Sequence, residues 1–223
     1  MIYSLLDCCK TRYNYIKLNQ TIGLEGDVMA TTKGQRKREW ILEKAKELFI
    51  QNGYSGTSME DLVQYSGVSK GSIYYHFQSK DDLFLQLIEK DTKEWLASWR
   101  QKERDYPSFE EKLHGIALHY AEDFHNPLQK VIEEYMFGQP LHEELLEQAL
   151  VTIKEKRKAY EKIFQDAIDA KEIDHRLNAE DLSYLFSGLL DGLSALYFEK
   201  SQEELNRLYR LAIQCFLNGV LPR

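Results

Sequence analysis

The stretch that decides the reading is SKGSIYYHF, residues 69–77. Two tyrosines, a histidine and a lysine crowd around Gly71, and only Ile73 and Phe77 are plainly apolar. Ser69 is placed to cap a helix starting at Lys70. Residues four apart share a helix face, so Ile73 and Phe77 would point to a core. Lys70, Tyr74 and either Ser72 or Tyr75 would then project elsewhere. Gly71 removes a side chain where another body could approach closely. Such a helix has an apolar underside and a long-armed polar upper side, and the question is what it touches.

The flanking residues answer in part. Upstream, Ile41, Ala45, Leu48 and Phe49 form one helical stripe from about Arg36, with Trp40 adjoining it and Gly53 closing the helix. Thr57 and Glu60 read as a capping box for a short helix to about Tyr65. Ser66-Gly67-Val68 makes a tight turn, with Gly67 supplying a positive φ. Downstream, Ser79 and Asp82 open a long helix to about Arg104. A helix, a short helix, a glycine turn and a second short helix have the spacing of a helix-turn-helix, with Leu62, Val63, Val68, Ile73 and Phe77 as its floor. The major groove of DNA admits one helix and is read by side chains on the helix's N-terminal part. The candidate DNA-binding set is therefore Thr57, Ser69, Lys70, Gly71, Ser72, Tyr74, Tyr75, His76 and Lys80. Tyr75, His76, Lys80 and Thr57 are placed to meet phosphate. A bland alternative stands beside each: one tyrosine partly in the core, His76 a packing residue, Lys80 a solvated lysine.

Composition frames this reading. The chain has 223 residues, 43% hydrophobic and 29% charged, with four prolines outside the long periodic segments. That favours an all-α protein, and no apolar run nears the roughly 18 residues of a membrane helix. The net charge of −7 disfavours nucleic acid, but its distribution is uneven. Residues 31–90 hold nine Lys and Arg against eight Asp and Glu, while residues 91–223 hold seventeen against twenty-five. Lys33, Arg36, Lys37 and Arg38 cluster as a basic arm or a solvated tail. Cys8, Cys9 and Cys215 have no metal-site spacing, so a reduced cytoplasmic protein is expected. Residues 1–30 lack both signal-peptide pattern and helical period. They read as a disordered leader or an over-extended frame with Met29 as the true start, a real N-terminal extension being the alternative.

At this point ILEKAKELFIQNGYSGTSMEDLVQYSGVSKGSIYYHFQSKDDLF, residues 41–84, resembles the DNA-binding domain of TetR-type transcriptional regulators. The similarity runs without gaps through the Gly-Tyr before Thr57, the GVSKGSIYYHF core and the Ser-Lys opening the next helix. It implies base-edge contacts at Lys70, Gly71 and Tyr74 and phosphate contacts at Thr57, Tyr75, His76 and Lys80. It also implies a helical C-terminal domain that dimerises and binds an inducer. The expected organisation is a leader over 1–30, a helix-turn-helix domain over 31–80 and a larger helical domain over 81–223.

Helices are expected over about 108–125, from Asn126-Pro127 to about Gly138, over 141–171, over 178–198 and from Ser201 to about Val220. The last two carry wide apolar faces. Leu182, Leu185, Phe186, Leu189, Leu193, Leu208, Ala212 and Phe216 are the candidate dimer interface, with simple core as the alternative. Trp95, Trp99, Tyr120, Phe124, Tyr135, Phe137, Tyr160 and Phe164 are candidates for a ligand pocket, though aromatic residues at this spacing are more often core. Glu133 and Glu134 stand beside them, open either to a cationic ligand or to solvent.

An enzyme is disfavoured. Glu111/His114, Glu122/His125 and Glu172/His175 have Glu-x-x-His spacing, but the first two pairs share one helix and cannot face each other as a di-iron bundle requires. No phosphate loop, dinucleotide fingerprint or Ser/His/Asp set is present. No metal or cofactor is expected. The expected partners are a palindromic double-stranded operator, a second copy of the chain and a small-molecule inducer, with no membrane. The expected function is a ligand-responsive regulator, foremost a repressor. The alternative is an architectural or activating DNA-binding protein without a small-molecule site.

Overall fold

The computed structural model describes residues 32–123, 126–138 and 143–220. The expected leader, Phe124 and His125 lie outside the described residues, and so does the side chain of Phe137. Among the described residues the chain is helical without strands, as expected. Thr32 opens α1 (Lys33–Asn52): the Gln35 N–H donates to Thr32 Oγ1 at 3.2 Å. Then come α2 (Met59–Ser66), α3 (Lys70–His76) and α4 (Lys80–Lys102). After a 3₁₀ turn at Glu103–Asp105 follow α5 (Phe109–Glu122), α6 (Leu128–Phe137) and α7 (Glu143–Asp169). The chain continues through α8 (Ala179–Ser194), a 3₁₀ turn at Ala195–Phe198, and α9 (Gln202–Val220). No helix among the described residues is long and apolar enough to cross a membrane.

The start signals hold at Ser79, Ser108, Asn178 and Ser201, each accepting a backbone N–H three residues on. One is displaced by a residue. Ser58, not Thr57, caps α2, and its box partner is Asp61, not Glu60. The reason is local. Gly53 ends α1 at φ +75°, and the Thr57 hydroxyl turns inward to donate to the Gly53 carbonyl at 2.8 Å.

Two hydrophobic clusters organise residues 38–220. The first gathers Ile41, Leu42, Ala45, Leu48 and Phe49 of α1, Leu62 of α2, Ile73 and Phe77 around α3, and Leu83 to Ile88 of α4. Val63 and Val68 pack against it half-buried. Leu128, Val131 and Tyr135 of α6 join it too. The second cluster takes Trp95, Leu96 and Trp99 from the other end of α4 and packs them with α5, α7, α8 and α9. Each large side chain buried in this way contributes about 1.5–3 kcal/mol. Trp40, expected to adjoin the first stripe, is half exposed and donates Nε1–H to the Ser66 carbonyl at 3.3 Å.

Gly53 is required by its backbone conformation. Its φ lies in the left-handed region, and a Cβ there would stand 2.7 Å from Glu134 Oε2. Gly53→Ala is therefore expected to lower the unfolding free energy by about 1–3 kcal/mol. A urea titration followed by circular dichroism measures it, and a midpoint equal to that of the unsubstituted protein would contradict this role.

Candidate nucleic-acid interface

α3 is seven residues long and rests on Ile73, with Phe77 closing its C-terminal end. Both are fully buried. A helix of this length has little stability of its own, so the buried side fixes which side faces out. Lys70, Gly71, Tyr74 and Tyr75 are exposed there, while Ser72 and His76 are half-buried. Tyr75 is 84% exposed, far more than a tyrosine with a packing role. Its ring meets His76 edge-on at 5.0 Å. A Cβ on Gly71 would touch nothing within 4 Å, so that part of the surface is open. Ser69 accepts the Ser72 N–H at 3.4 Å.

Lys70 is not loose. Its ammonium donates to Glu60 Oε1 at 3.0 Å and lies 5.7 Å from the Tyr74 ring centre. The hydrogen bond to Glu60 raises the Lys70 pKa above its ordinary value and holds Glu60 below its own.

Two expected phosphate ligands are placed otherwise. Thr57 is buried, its hydroxyl committed to Gly53. The Lys80 ammonium is turned into the protein, donating to the carbonyls of Tyr54 and Thr57 at 3.0 Å each and lying 4.1 Å from the Tyr54 ring centre. The loop before α2 thus takes up the cation that the sequence offers to solvent.

The same loop is also held by α6. The Tyr54 N–H donates to Glu134 Oε2 at 2.9 Å and the Ser55 N–H to Glu134 Oε1 at 2.8 Å. These hydrogen bonds, Ser55's first, hold the Glu134 carboxyl below the usual range. Glu134 is thereby tied to this loop, and no local sequence signal distinguishes it from Glu133. Tyr135, a pocket candidate, is fully buried with Tyr54 and Phe84 in the first cluster, at ring distances of 4.6 and 5.0 Å.

The other described pocket candidates do come together. Trp95, Trp99, Tyr160 and Phe164 are buried in the second cluster, with Tyr120 packed against it. Polar groups thread this core. His119 stacks on Trp95 and Trp99 at 4.6 and 5.9 Å. Its Nε2 meets the Trp95 carbonyl at 3.1 Å and its Nδ1 the Lys102 ammonium at 3.2 Å. A carbonyl can only accept and an ammonium only donate, so the ring is neutral with its proton on Nε2. Burial pushes the His119 pKa down in the same sense. Lys156 lies 4.7 Å from the Trp95 ring centre and reaches Asp123 at 3.2 Å. Tyr120 donates to Asp191 at 2.5 Å, and burial pushes its hydroxyl pKa well up. Trp95 Nε1 is buried without a hydrogen-bond partner among the described residues. Among those residues no cluster of His, Cys, Asp and Glu has metal-holding geometry.

The candidate dimer residues divide. Leu182 and Phe186 are buried in the chain's own core, Phe186 against Tyr160 and Phe164 of α7 and Phe216 of α9. Leu189, Leu193, Leu208, Ala212 and Phe216 are half-buried, and Leu185 is 64% exposed. Tyr184 and Leu211 are also about half exposed. A Cβ at Gly188, Gly192 or Gly219 would meet nothing within 4 Å, which leaves these helix faces flat. An apolar count marks both sides of such helices alike; only packing separates them.

Comparison with known proteins agrees with this arrangement. Residues 41–87 match the family model for bacterial regulatory proteins of the tetR family, and residues 91–221 the model for the C-terminal region of QacR-like proteins. The chain is 29% identical over 191 residues to the HTH-type transcriptional regulator QacR of Staphylococcus aureus (strain Mu50), covering 82% of this chain and 97% of that one. It is 28% identical over 197 residues to the uncharacterized HTH-type transcriptional regulator YfiR of Bacillus subtilis (strain 168), covering 85% and 93%. In fold it is similar to the regulator FadR of Bacillus subtilis solved in complex with stearoyl-CoA, with a TM-score of 0.68, 20% identity, and 81% and 98% coverage. The family consists of transcriptional regulators rather than enzymes. With one family model covering more than half of its length and a second fitting its helix-turn-helix, the chain belongs to the TetR family of bacterial transcriptional regulators, in the group with a QacR-like C-terminal region.

Proposed function

We propose that this chain is a repressor that binds a palindromic operator as a homodimer and is released by a small-molecule inducer. Regulators of the family bind DNA, dimerise and bind small molecules. The carrying observation is the outward face of α3, where Lys70, Gly71, Tyr74 and Tyr75 stand exposed over a buried Ile73. Lys70 and Tyr74 are assigned to base edges, with Gly71 allowing close approach. Ser69, Ser72, Tyr75 and His76 are assigned to phosphate or sugar. Thr57 and Lys80 drop out of the contact set and become supports of the loop before α2.

One seven-residue helix makes few contacts, and a two-fold dimer doubles them on a palindrome. The exposed Tyr184, Leu185 and Leu211 on adjacent α8 and α9 support pairing of these helices with their copies. The half-buried Leu189, Leu193, Leu208, Ala212 and Phe216 would widen that contact.

The sensor is assigned to the second core, within a division that keeps 31–80 as reader and 81–223 as sensor. Trp95, Trp99, Tyr120, Tyr160 and Phe164 form its wall. The partnerless Trp95 Nε1–H supports a ligand carrying a hydrogen-bond acceptor, since a buried donor gains most from finding one. An architectural protein would have no use for that unmet donor. Those side chains are packed, so a ligand enters by displacing them. The displacement reaches the reader by α4, which serves both cores, and by α6, whose Glu134 holds the loop before α2. Ligand releases DNA only if it binds the DNA-incompetent arrangement better.

The test is a gel shift on the chain's own upstream intergenic DNA, with competitor DNA, at two salt concentrations. One retained palindromic fragment, lost at high salt, is the expected result; equal retention on all fragments would sink the repressor reading. Leu211→Asp is expected to halve the mass measured by light scattering at micromolar concentration while leaving the circular dichroism spectrum unchanged. A wild-type monomer would overturn the dimer assignment. Tyr75→Phe is expected to weaken binding to operator and non-operator DNA alike, up to about tenfold, with no change in salt slope because the hydroxyl is neutral. Lys80→Met is expected to lower the melting temperature, through about 1.5–3 kcal/mol of lost charged hydrogen bonding. Its salt slope stays at the wild-type value, and a slope smaller by one would return Lys80 to the phosphate set.

A further inference from the structure

The pair between Glu60 and Lys70 has no evident structural purpose. Both side chains are about two-thirds exposed, at 63% and 64%. A pair so open to solvent adds little to folding. The capping box of α2 is Ser58 with Asp61, and Glu60 adds a second acid to that first turn whether or not it meets Lys70. Yet the carboxylate stands on the face assigned to DNA, where a negative charge opposes every phosphate nearby. It is the pairing of that acid with Lys70, rather than the acid alone, that calls for a role in recognition.

Lysine carries its ammonium on a flexible four-carbon stem and, left free, meets whichever phosphate is nearest. Here two contacts restrain it. Glu60 Oε1 accepts from Nζ at 3.0 Å, and the Tyr74 ring lies 5.7 Å from the same atom. An ammonium has three donors, so one spent on Glu60 leaves two. Two is the number that the N7 and O6 acceptors of a guanine can take in the major groove. Glu60 on α2, Lys70 and Tyr74 on α3 therefore form one unit across the turn at Gly67.

We infer that Glu60 is a specificity-determining residue: it aims the Lys70 ammonium at a purine base edge and withholds it from the phosphate backbone. This rests on the assignment of α3 as the DNA reader. Glu60 touches Lys70 and not the base, so it is a positioning residue. Its cost is weaker binding to DNA at large, and its effect is a wider gap between operator and non-operator.

The experiment is selection of bound sequences from a random double-stranded DNA library by the full-length protein. The unsubstituted chain is compared with Glu60→Gln, Glu60→Asp and Lys70→Ala. Circular dichroism and a thermal melt verify that each is folded. Lys70→Ala marks the base pair that Lys70 reads. Glu60→Gln is expected to lose preference at that same base pair, by roughly fivefold or more. It also gains affinity for random DNA, with a salt slope steeper by about one, as the released ammonium takes a phosphate. Glu60→Asp keeps the charge but shortens the arm, and is expected to lose the preference as well. If Lys70→Ala changes the preference and Glu60→Gln does not, the inference falls while the reader assignment stands. If Glu60→Asp keeps the wild-type preference, the effect is one of net charge and the aiming role falls. If no variant alters a preference that the unsubstituted chain displays, Lys70 reads no base and the inference falls with it. If the unsubstituted chain enriches no sequence, the reader assignment itself fails.

Discussion

The burial of Ile73 and Phe77 holds up everything that the reading helix presents. A seven-residue helix in water is far below the length at which backbone hydrogen bonding sustains it. Its geometry is borrowed from a floor of α1, α2 and α4 side chains, with Phe49 and Phe84 edge to face at 4.9 Å within it. Because two buried positions four apart fix the helix's rotation, the outward positions follow without further instruction. The exposure of Tyr75 is then a consequence of the burial of Ile73. The charge balance of the chain agrees once it is taken locally: the acidic excess lies in residues 91–223.

The loop from Gly53 to Ser58 is the second point of dependence. It turns sharply and exposes backbone groups that must be satisfied. Glu134 takes two of its N–H groups, and Lys80 gives to two of its carbonyls. Opposite charges from two helices thus hold one short segment. Their spacing sets where α2 begins, and through the turn at Gly67 where α3 points. A shift of α6 along its axis would be felt there first, since Leu128, Val131 and Tyr135 move with Glu134.

Helices, turns and caps were largely legible because they obey local rules. The stripe Ile41–Ala45–Leu48–Phe49, the turn at Gly67 and the caps at Ser79, Ser108, Asn178 and Ser201 each depend on residues within a turn of one another. Where two candidates competed at one cap, Thr57 lost to Ser58 because the positive φ of Gly53 drew the threonine hydroxyl inward. What stayed hidden was long-range. Nothing near Lys80 announces that carbonyls 23 and 26 residues upstream will take its ammonium. Glu134 and Glu133 are indistinguishable until α6 is docked. Tyr135 and Tyr160 look alike in sequence, yet one sits in the reader's core and the other in the second core. On α8 and α9, apolar content on all sides hid which leucines face inward: Leu182 turns to the chain's own core, while Leu185 and Leu211 stay exposed.

α4 has a consequence for how such a protein could be rebuilt in evolution or in the laboratory. The two family models meet between residues 87 and 91, in mid-helix, just after Ile88 has entered one core and before Trp95 enters the other. A recombination joint there would preserve the helix and both sets of α4 contacts. It would still leave the reader without a wall, because α6 lies forty residues on and brings Glu134 and Tyr135 back to it. Exchange of sensors between relatives is therefore not a matter of one clean cut. Whatever domain is grafted behind this reader must bring a sixth helix that carries an acid and a buried aromatic side by side.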